Sequence, residues 1–252
     1  MDKRKYFFFI FRLAEVSLEN GAEIKRVEST VNYLSKKYEL EGFDAFIMIN
    51  GLMMSLQNGD ESLQAKVKEI PISPINLGRI EAINVLSRDI VEDKIDFEGA
   101  KKRLDEIKDS NYASNRSKLA AYALGSSTFG YLFASSLWDA AGAFFLGAIL
   151  GFYILYILPK TNLTDFLINL SGSILVSVLA CVMVYISPTF NLSSLIAGGI
   201  ISLLPGVAMV NSIRYLFDED YLSGAGMLMD AVMTSAAISV GVGIVLRVAE
   251  WI

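Results

Sequence analysis

The chain has 252 residues, 53% of them hydrophobic, with 22 Lys+Arg against 27 Asp+Glu, no histidine and a single cysteine, Cys181. One cysteine excludes an intrachain disulfide and any CxxC redox or metal motif, and the lack of histidine removes the commonest general base and zinc ligand. Of the charged residues, 19 of the 22 basic and 20 of the 27 acidic fall in residues 1–118, so the net charge of −5 says little, and no basic stripe points to nucleic acid.

Taken in chain order, Met1-Asp2-Lys3-Arg4-Lys5 followed by Tyr6 to Phe11 imitates a signal peptide. Arg12 and Glu15 interrupt the apolar stretch too early for one, so it reads as a first amphipathic helix. Ile24, Val27, Val31, Leu34 and Tyr38 recur at helical spacing and predict a helix over Ala22–Glu39, ended by Gly42. Three short segments follow, Phe43–Ile49, Leu52–Gln57 and Leu63–Ile70, separated by Asn50-Gly51 and by Asn58-Gly59-Asp60-Glu61. Such turn residues between apolar runs predict a three-stranded meander. Pro71 and Pro74 break the chain. Two helices follow, one marked by Ile80, Ile83, Leu86 and Ile90, the other by Phe97, Ala100, Leu104 and Ile107, with Asp96 as N-cap of the second. The expected organisation is an α+β domain over 1–110, a polar linker over 111–117 and a transmembrane domain over 118–252.

From Leu119 to Phe217 only Asp139, Lys160, Asp165 and Arg214 are charged. A charged side chain at the bilayer centre costs about 2.5–3.5 kcal/mol on insertion scales, so this stretch belongs in lipid. Five spans are expected, at roughly 118–137, 140–158, 166–187, 193–212 and 225–247. Basic residues flank the first span on its N-terminal side, and Lys160 and Arg214 fall in loops on that same side; only Arg247 dissents. The positive-inside rule then places the N-terminal domain in the cytoplasm and Ile252 outside, in a cell membrane. The fold class is a membrane protein: a cytoplasmic α+β domain followed by a five-helix transmembrane bundle. Its many glycines, among them the GxxxG pair Gly147 and Gly151, fit close helix packing.

The fourth span carries Pro205-Gly206. Proline removes a backbone donor and disfavours helix at Leu204. A break there leaves backbone groups that lipid cannot satisfy, and a half-helix N-terminus that favours a carboxylate. A simple proline kink accounts for the same residues, and both readings stay open. Asn211 and Arg214 lie one turn apart at the end of that span, and Ser223-Gly224 leads into the fifth. Asp230, inside an apolar segment, is a candidate proton acceptor, an ammonium partner or a salt-bridge partner of Arg214. Asp139 is either a second proton-coupling carboxylate or an N-cap beside the interfacial Trp138, and Asp165 reads as a cap. Asp218-Glu219-Asp220 reads as a solvated loop. In the soluble part, Glu23, Arg26 and Glu28 after Gly21 suit a surface ion-pair network.

There is no GxxxxGK[ST], HExxH, GxSxG or GxGxxG motif, no metal-ligand cluster and no cofactor signature, so an enzyme is not expected. Gly21-Ala-Glu-Ile-Lys-Arg-Val-Glu28, Gly199 through Arg214 and Asp220-Tyr-Leu-Ser-Gly224 together resemble the bacterial threonine/serine exporter family over essentially the whole chain. The resemblance implies export of small amino acids such as threonine and serine; a related branch is associated with dicarboxylates such as succinate. It also implies the larger, soluble-domain-bearing half of a split system, completed by a small, separately encoded membrane partner or by further copies of this chain. Coupling to an ion gradient is the expected energy source. The reading of a different class is a membrane-anchored sensor or recruitment module that transports nothing.

Overall fold

The structure, a computed structural model, describes residues 3–58, 62–71, 75–110, 112–134, 136–161 and 163–251. The chain divides into two compact units, Met1–Tyr112 and Ala113–Ile252.

In the first unit, α1 (Lys3–Glu19) is the central helix. It is less an amphipathic helix than a core element. Phe7, Ile10, Phe11, Leu13 and Ala14 have no exposed surface, and of the helix only Arg4, Lys5, Phe8 and Arg12 are well exposed. The density of apolar residues that imitates a signal peptide is thus explained by burial on nearly every side. Helix α2 (Ile24–Lys37) buries Ile24, Val27, Val31 and Leu34. Its end departs from the sequence reading: Glu39, three residues before Gly42, takes the left-handed conformation that closes the helix, with φ of 50°, and Gly42 is left-handed as well, with φ of 69°. The Leu40 N–H then reaches back to the Ser35 carbonyl at 3.0 Å, and Glu39 N–H to Lys36 at 3.1 Å, which is a Schellman closure. Gly21 closes α1 in the same way, with φ of 74°.

Strands β1 (Phe43–Met48), β2 (Gly51–Asn58) and β3 (Ser62–Glu69) form an antiparallel meander in that order. Met48 pairs with Gly51, so the first turn is Ile49-Asn50, one residue earlier than the Asn50-Gly51 expected. Gly51 opens β2, and the Asn50 carbonyl accepts from Ile70 N–H at 2.9 Å. The second expected turn lies, from residue 59 on, outside the described residues, as does Pro74. Leu52, Met54 and Leu56 form the buried face of β2, the period-2 pattern of a one-sided sheet. Helices α3 (Leu77–Val91) and α4 (Phe97–Asp109) complete the unit, and Asp96 caps α4 as expected, accepting from Gly99 N–H at 3.0 Å. Arg79 joins three chain segments: its guanidinium donates to Asn20 Oδ1 and twice to the Ser110 carbonyl.

The second unit is all-helical: α5 (Asn115–Ala134), α6 (Leu137–Phe152), α7 (Asp165–Ile186), α8 (Leu192–Ile200), α9 (Gly206–Phe217) and α10 (Tyr221–Ala249). Among the described residues three helical stretches are long and apolar enough to cross a membrane: Leu137–Lys160, Asp165–Ile186 and Tyr221–Ala249. A bent pair, Leu192–Leu203 with Gly206–Phe217, makes a fourth if counted as one span. The sequence reading has five. The difference is α5, which is long enough at 20 residues but carries Ser117, Lys118, Tyr122, Ser126, Ser127 and Thr128. Its buried face is narrow and small: Ala123, Ser126 and Gly130.

That face lets backbones approach closely. A Cβ on Gly198 would lie 2.8 Å from Gly130 N and 3.0 Å from the Ser126 carbonyl, and one on Gly147 would lie 2.3 Å from Ser126 Oγ. Glycine is required at these crossings of α5 with α8 and α6. Around them Leu146, Leu150, Val176, Leu195, Leu203 and Ile238 form the core.

Candidate functional site

The fourth membrane segment is broken. Helix α8 runs to Ile200 and tightens into a 3₁₀ turn over Ile201–Leu203; Leu204 is then extended, with φ −65° and ψ 133°. Pro205 follows at φ −81° and ψ 48°, and Gly206 N–H bonds back to the Leu204 carbonyl at 2.9 Å, an inverse γ-turn centred on the proline. Helix α9 leaves at 57° to α8. This is the extended geometry that proline imposes on the residue before it. Of the first four amides of α9, Gly206 and Met209 find backbone acceptors; none is recorded for Val207 or Ala208 among the described residues. Leu203 anchors the turn in the core, 3.4 Å from where a Gly172 Cβ would sit, whereas nothing lies within 4 Å of a Cβ added at Gly206. The break therefore presents polar backbone on an open side of the unit, with Leu204 and Val207 exposed.

Next to the break is a shallow pocket of about 280 Å³, lined by Lys118, Ala121, Tyr122 and Ser202. Lys118 and Tyr122 are one turn apart on α5, and Ser202 is in the 3₁₀ turn. Tyr122 is held from behind: a Gly151 Cβ would lie 2.8 Å from its Cβ. A cation and two hydroxyls meet here, a set that suits a carboxylate. Sequence reasoning passed over these residues. The signal was a Lys and a Tyr four apart on one helix, and nothing in the linear order ties that pair to Ser202.

The remaining candidates are placed as follows. Asn211 is half-buried, and Arg214, on the same face of α9, is exposed and engaged in an interaction. Between them Ser212 is fully buried and donates to the Met209 carbonyl at 2.8 Å. Ser223 and Gly224 form a helix crossing: a Gly224 Cβ would lie 2.8 Å from Leu216 Cγ, so only glycine fits. The Ser223 hydroxyl is buried without a hydrogen-bond partner. Asp218-Glu219-Asp220 is more ordered than a solvated loop. Glu219 takes φ of 63°, Asp220 N–H reaches the Tyr215 carbonyl at 2.9 Å, and the Asp220 side chain caps α10 through Ser223 N–H at 3.2 Å.

Asp230 is half-buried, nine residues or about 14 Å along α10. Asp139 is 2% exposed. Ser136, not Asp139, is the N-cap of α6; Asp139 sits in the first turn, and its Oδ1 accepts the Asn191 N–H at 2.7 Å. Asn191 in turn caps α8 through Ser194 N–H. The carboxylate clasps α6 to the start of α8. Asp165 is the first residue of α7, after the N-cap position Thr164.

In the first unit Gly21 needs its positive φ, and a Cβ there would also meet Ile75 Cγ1 at 3.0 Å. Glu23 occupies the N-cap position of α2 without a side-chain cap bond, and Glu23 and Glu28 each take part in interactions. Arg26 turns toward a groove between α2 and α3.

An α+β module joined to apolar helices, one pair of them broken at a proline, defines a multi-pass membrane protein. Residues 8–249 match the family described as "Putative threonine/serine exporter" (ThrE), and the chain belongs to that family. It is similar to pheromone-regulated membrane protein 10 of Yarrowia lipolytica, 25% identical over 96% of this chain and 20% of that protein. An uncharacterized protein of Schizosaccharomyces pombe is 26% identical over all of this chain and 33% of its own length. Pheromone-regulated membrane protein 10 of Debaryomyces hansenii is 22% identical over 97% of this chain and 24% of that protein. The chain thus spans a third or less of these relatives, which are fungal, so the likeness reaches beyond bacteria. No solved structure matches it significantly.

Proposed function

We propose that this chain is one half of a secondary exporter for a small amino acid of the threonine/serine class, working from a cell membrane with its N-terminal unit in the cytoplasm and its C-terminus outside. The observation that carries the reading is the break at Leu204–Pro205. Among the described residues its Val207 and Ala208 amides have no backbone acceptor, and the space beside Gly206 is open; lipid there would leave such groups unsatisfied. A helix N-terminus of this kind favours an anionic group. Lys118, Tyr122 and Ser202 supply the complementary donors for one carboxylate. The single cation in that pocket favours a zwitterion over a dicarboxylate.

In this reading α5 crosses as the first of five spans, its polar face turned to the solute path. The open side of the break is covered by a second set of spans, from a small partner protein or from another copy. Asp230 carries the coupling proton, and Asp139 serves as a clasp.

Uptake of labelled threonine, serine and succinate into inside-out membrane vesicles, with and without an imposed pH gradient, tests the proposal. Chain-dependent, gradient-dependent uptake of threonine or serine is expected. Succinate uptake alone would move the assignment to a dicarboxylate exporter. No chain-dependent uptake of any of the three would leave the chain a membrane-anchored sensor or recruitment module.

A further inference from the structure

The groove between α2 and α3 encloses about 640 Å³, a size suited to a small ligand. All its residues lie within Met1–Tyr112. The two helices bury apolar stripes, Val27, Val31 and Leu34 on α2 and Ile83, Leu86 and Ile90 on α3. Above those stripes Leu77, Ile80 and the Tyr33 ring line the groove together with polar side chains, and they do not fill the space between the helices.

Two guanidinium groups line the groove, Arg26 from α2 and Arg88 from α3. Neither makes an ion pair or a side-chain hydrogen bond among the described residues, although carboxylates are plentiful in this unit. Asp93 pairs with Lys37, Glu92 with Lys94, and Asp105 with Arg12. Arg79, by contrast, has its guanidinium engaged on Asn20 and Ser110. The hydroxyl protons of Ser29, Thr30 and Ser87 are spent on carbonyls of their own helices. The donors left over are the two guanidiniums, the Asn84 amide and the Tyr33 phenol, a set that selects anions.

The arginines sit toward opposite ends. A neighbouring stretch of the groove, about 220 Å³, is lined by Tyr33, Arg88 and Glu92 but not by Arg26. Glu81 and Arg88 are seven residues apart on α3, about 10 Å. Glu81 lines the groove as an acceptor for an amino group. We infer that the α2–α3 groove binds a small dicarboxylate, one carboxylate on Arg26 and the other on Arg88, with an acidic amino acid seated through Glu81 as well. The inference does not depend on the transport reading.

Calorimetric titration of the purified full chain in detergent tests it, with succinate, L-aspartate, L-threonine and inorganic phosphate as ligands. Succinate and aspartate are expected to bind saturably, with threonine at least about tenfold weaker because it offers a single carboxylate. Arg26→Gln and Arg88→Gln should each weaken succinate binding about tenfold. Both side chains are exposed, so the ligand-free melting temperature should not move, and Arg12→Gln should leave binding unchanged. No saturable heat with either dicarboxylate, equal affinity in the wild type and both groove variants, or a preference for phosphate would each overturn the assignment.

Discussion

Pro159 and Pro205 both interrupt apolar helices of the second unit, with opposite results. At Pro159 the chain stays helical into the proline, and the stretch ends one residue beyond it, at Lys160. Helix α6 loosens into a π-helical turn over Tyr153–Ile157, then tightens to 3₁₀ over Leu158–Lys160, and Leu158 before the proline stays helical at φ −63° and ψ −34°. The result is one stretch, Leu137–Lys160. At Pro205 the preceding residue flips to ψ 133° and the axis turns by 57°. A wider turn upstream can take up the missing donor and the ring's bulk at Pro159. Upstream of Pro205 the turn narrows instead, and Gly206 offers no side chain to hold the next turn in line. Proline by itself does not decide whether a span breaks; the turn before it and the residue after it do.

The contrast is open to direct attack. Replacing both residues of the break, Pro205→Ala with Gly206→Ala, should let α8 and α9 join. Transport in vesicles should then fall by about a hundredfold, a loss of near 3 kcal/mol, whereas Pro159→Ala should stay within about twofold. Equal losses would mean that the break has no special role. Next in size is the wall behind the break. Gly198→Ala places a methyl 2.8 Å from Gly130 N, and should lower stability by about 1–3 kcal/mol, read as a drop in the melting temperature in detergent. Asp139→Ala removes the clasp on Asn191 and should cost about 2 kcal/mol. Asp139→Asn keeps an acceptor and should recover most of that, with transport coupling intact; lost coupling in the Asn variant would return Asp139 to the proton path. Asp230→Asn should leave the melting temperature unchanged within about 1 kcal/mol and abolish the response to a pH gradient. The smallest effect is expected at the far end of α9. Glu219→Gly relieves a left-handed residue, offset by unfolded-chain entropy, for a net gain of about 0.5 kcal/mol.

Much of this architecture is legible in the residues. The change of solvent near Lys118, the α2, α3 and α4 periodicities, the meander and the Pro205 break all follow from apolar spacing and from proline's missing donor. What is not legible depends on contacts made after folding. Glu39, Asp93 and Glu219 take φ of 50°, 57° and 63° at helix ends where no glycine marks the position, so the end of α2 is set by Schellman bonds that compensate a strained residue. The first hairpin turn slips by one residue because Ile70 needs the Asn50 carbonyl. Asp139 looks like a cap from its place after Trp138, yet its real partner is 52 residues away. Lys118 and Tyr122 carry no signal in the linear order until Ser202 is brought beside them.

The near-total enclosure of α1 has a consequence for biosynthesis. The helix packs against β2, α3 and α4, which are translated tens of residues after it. At about 5–20 residues per second its phenylalanines stay naked for roughly 5–20 s. Through that interval the nascent chain shows the cell a greasy segment, and whatever escorts hydrophobic nascent chains has its opportunity there, before the module it belongs to exists.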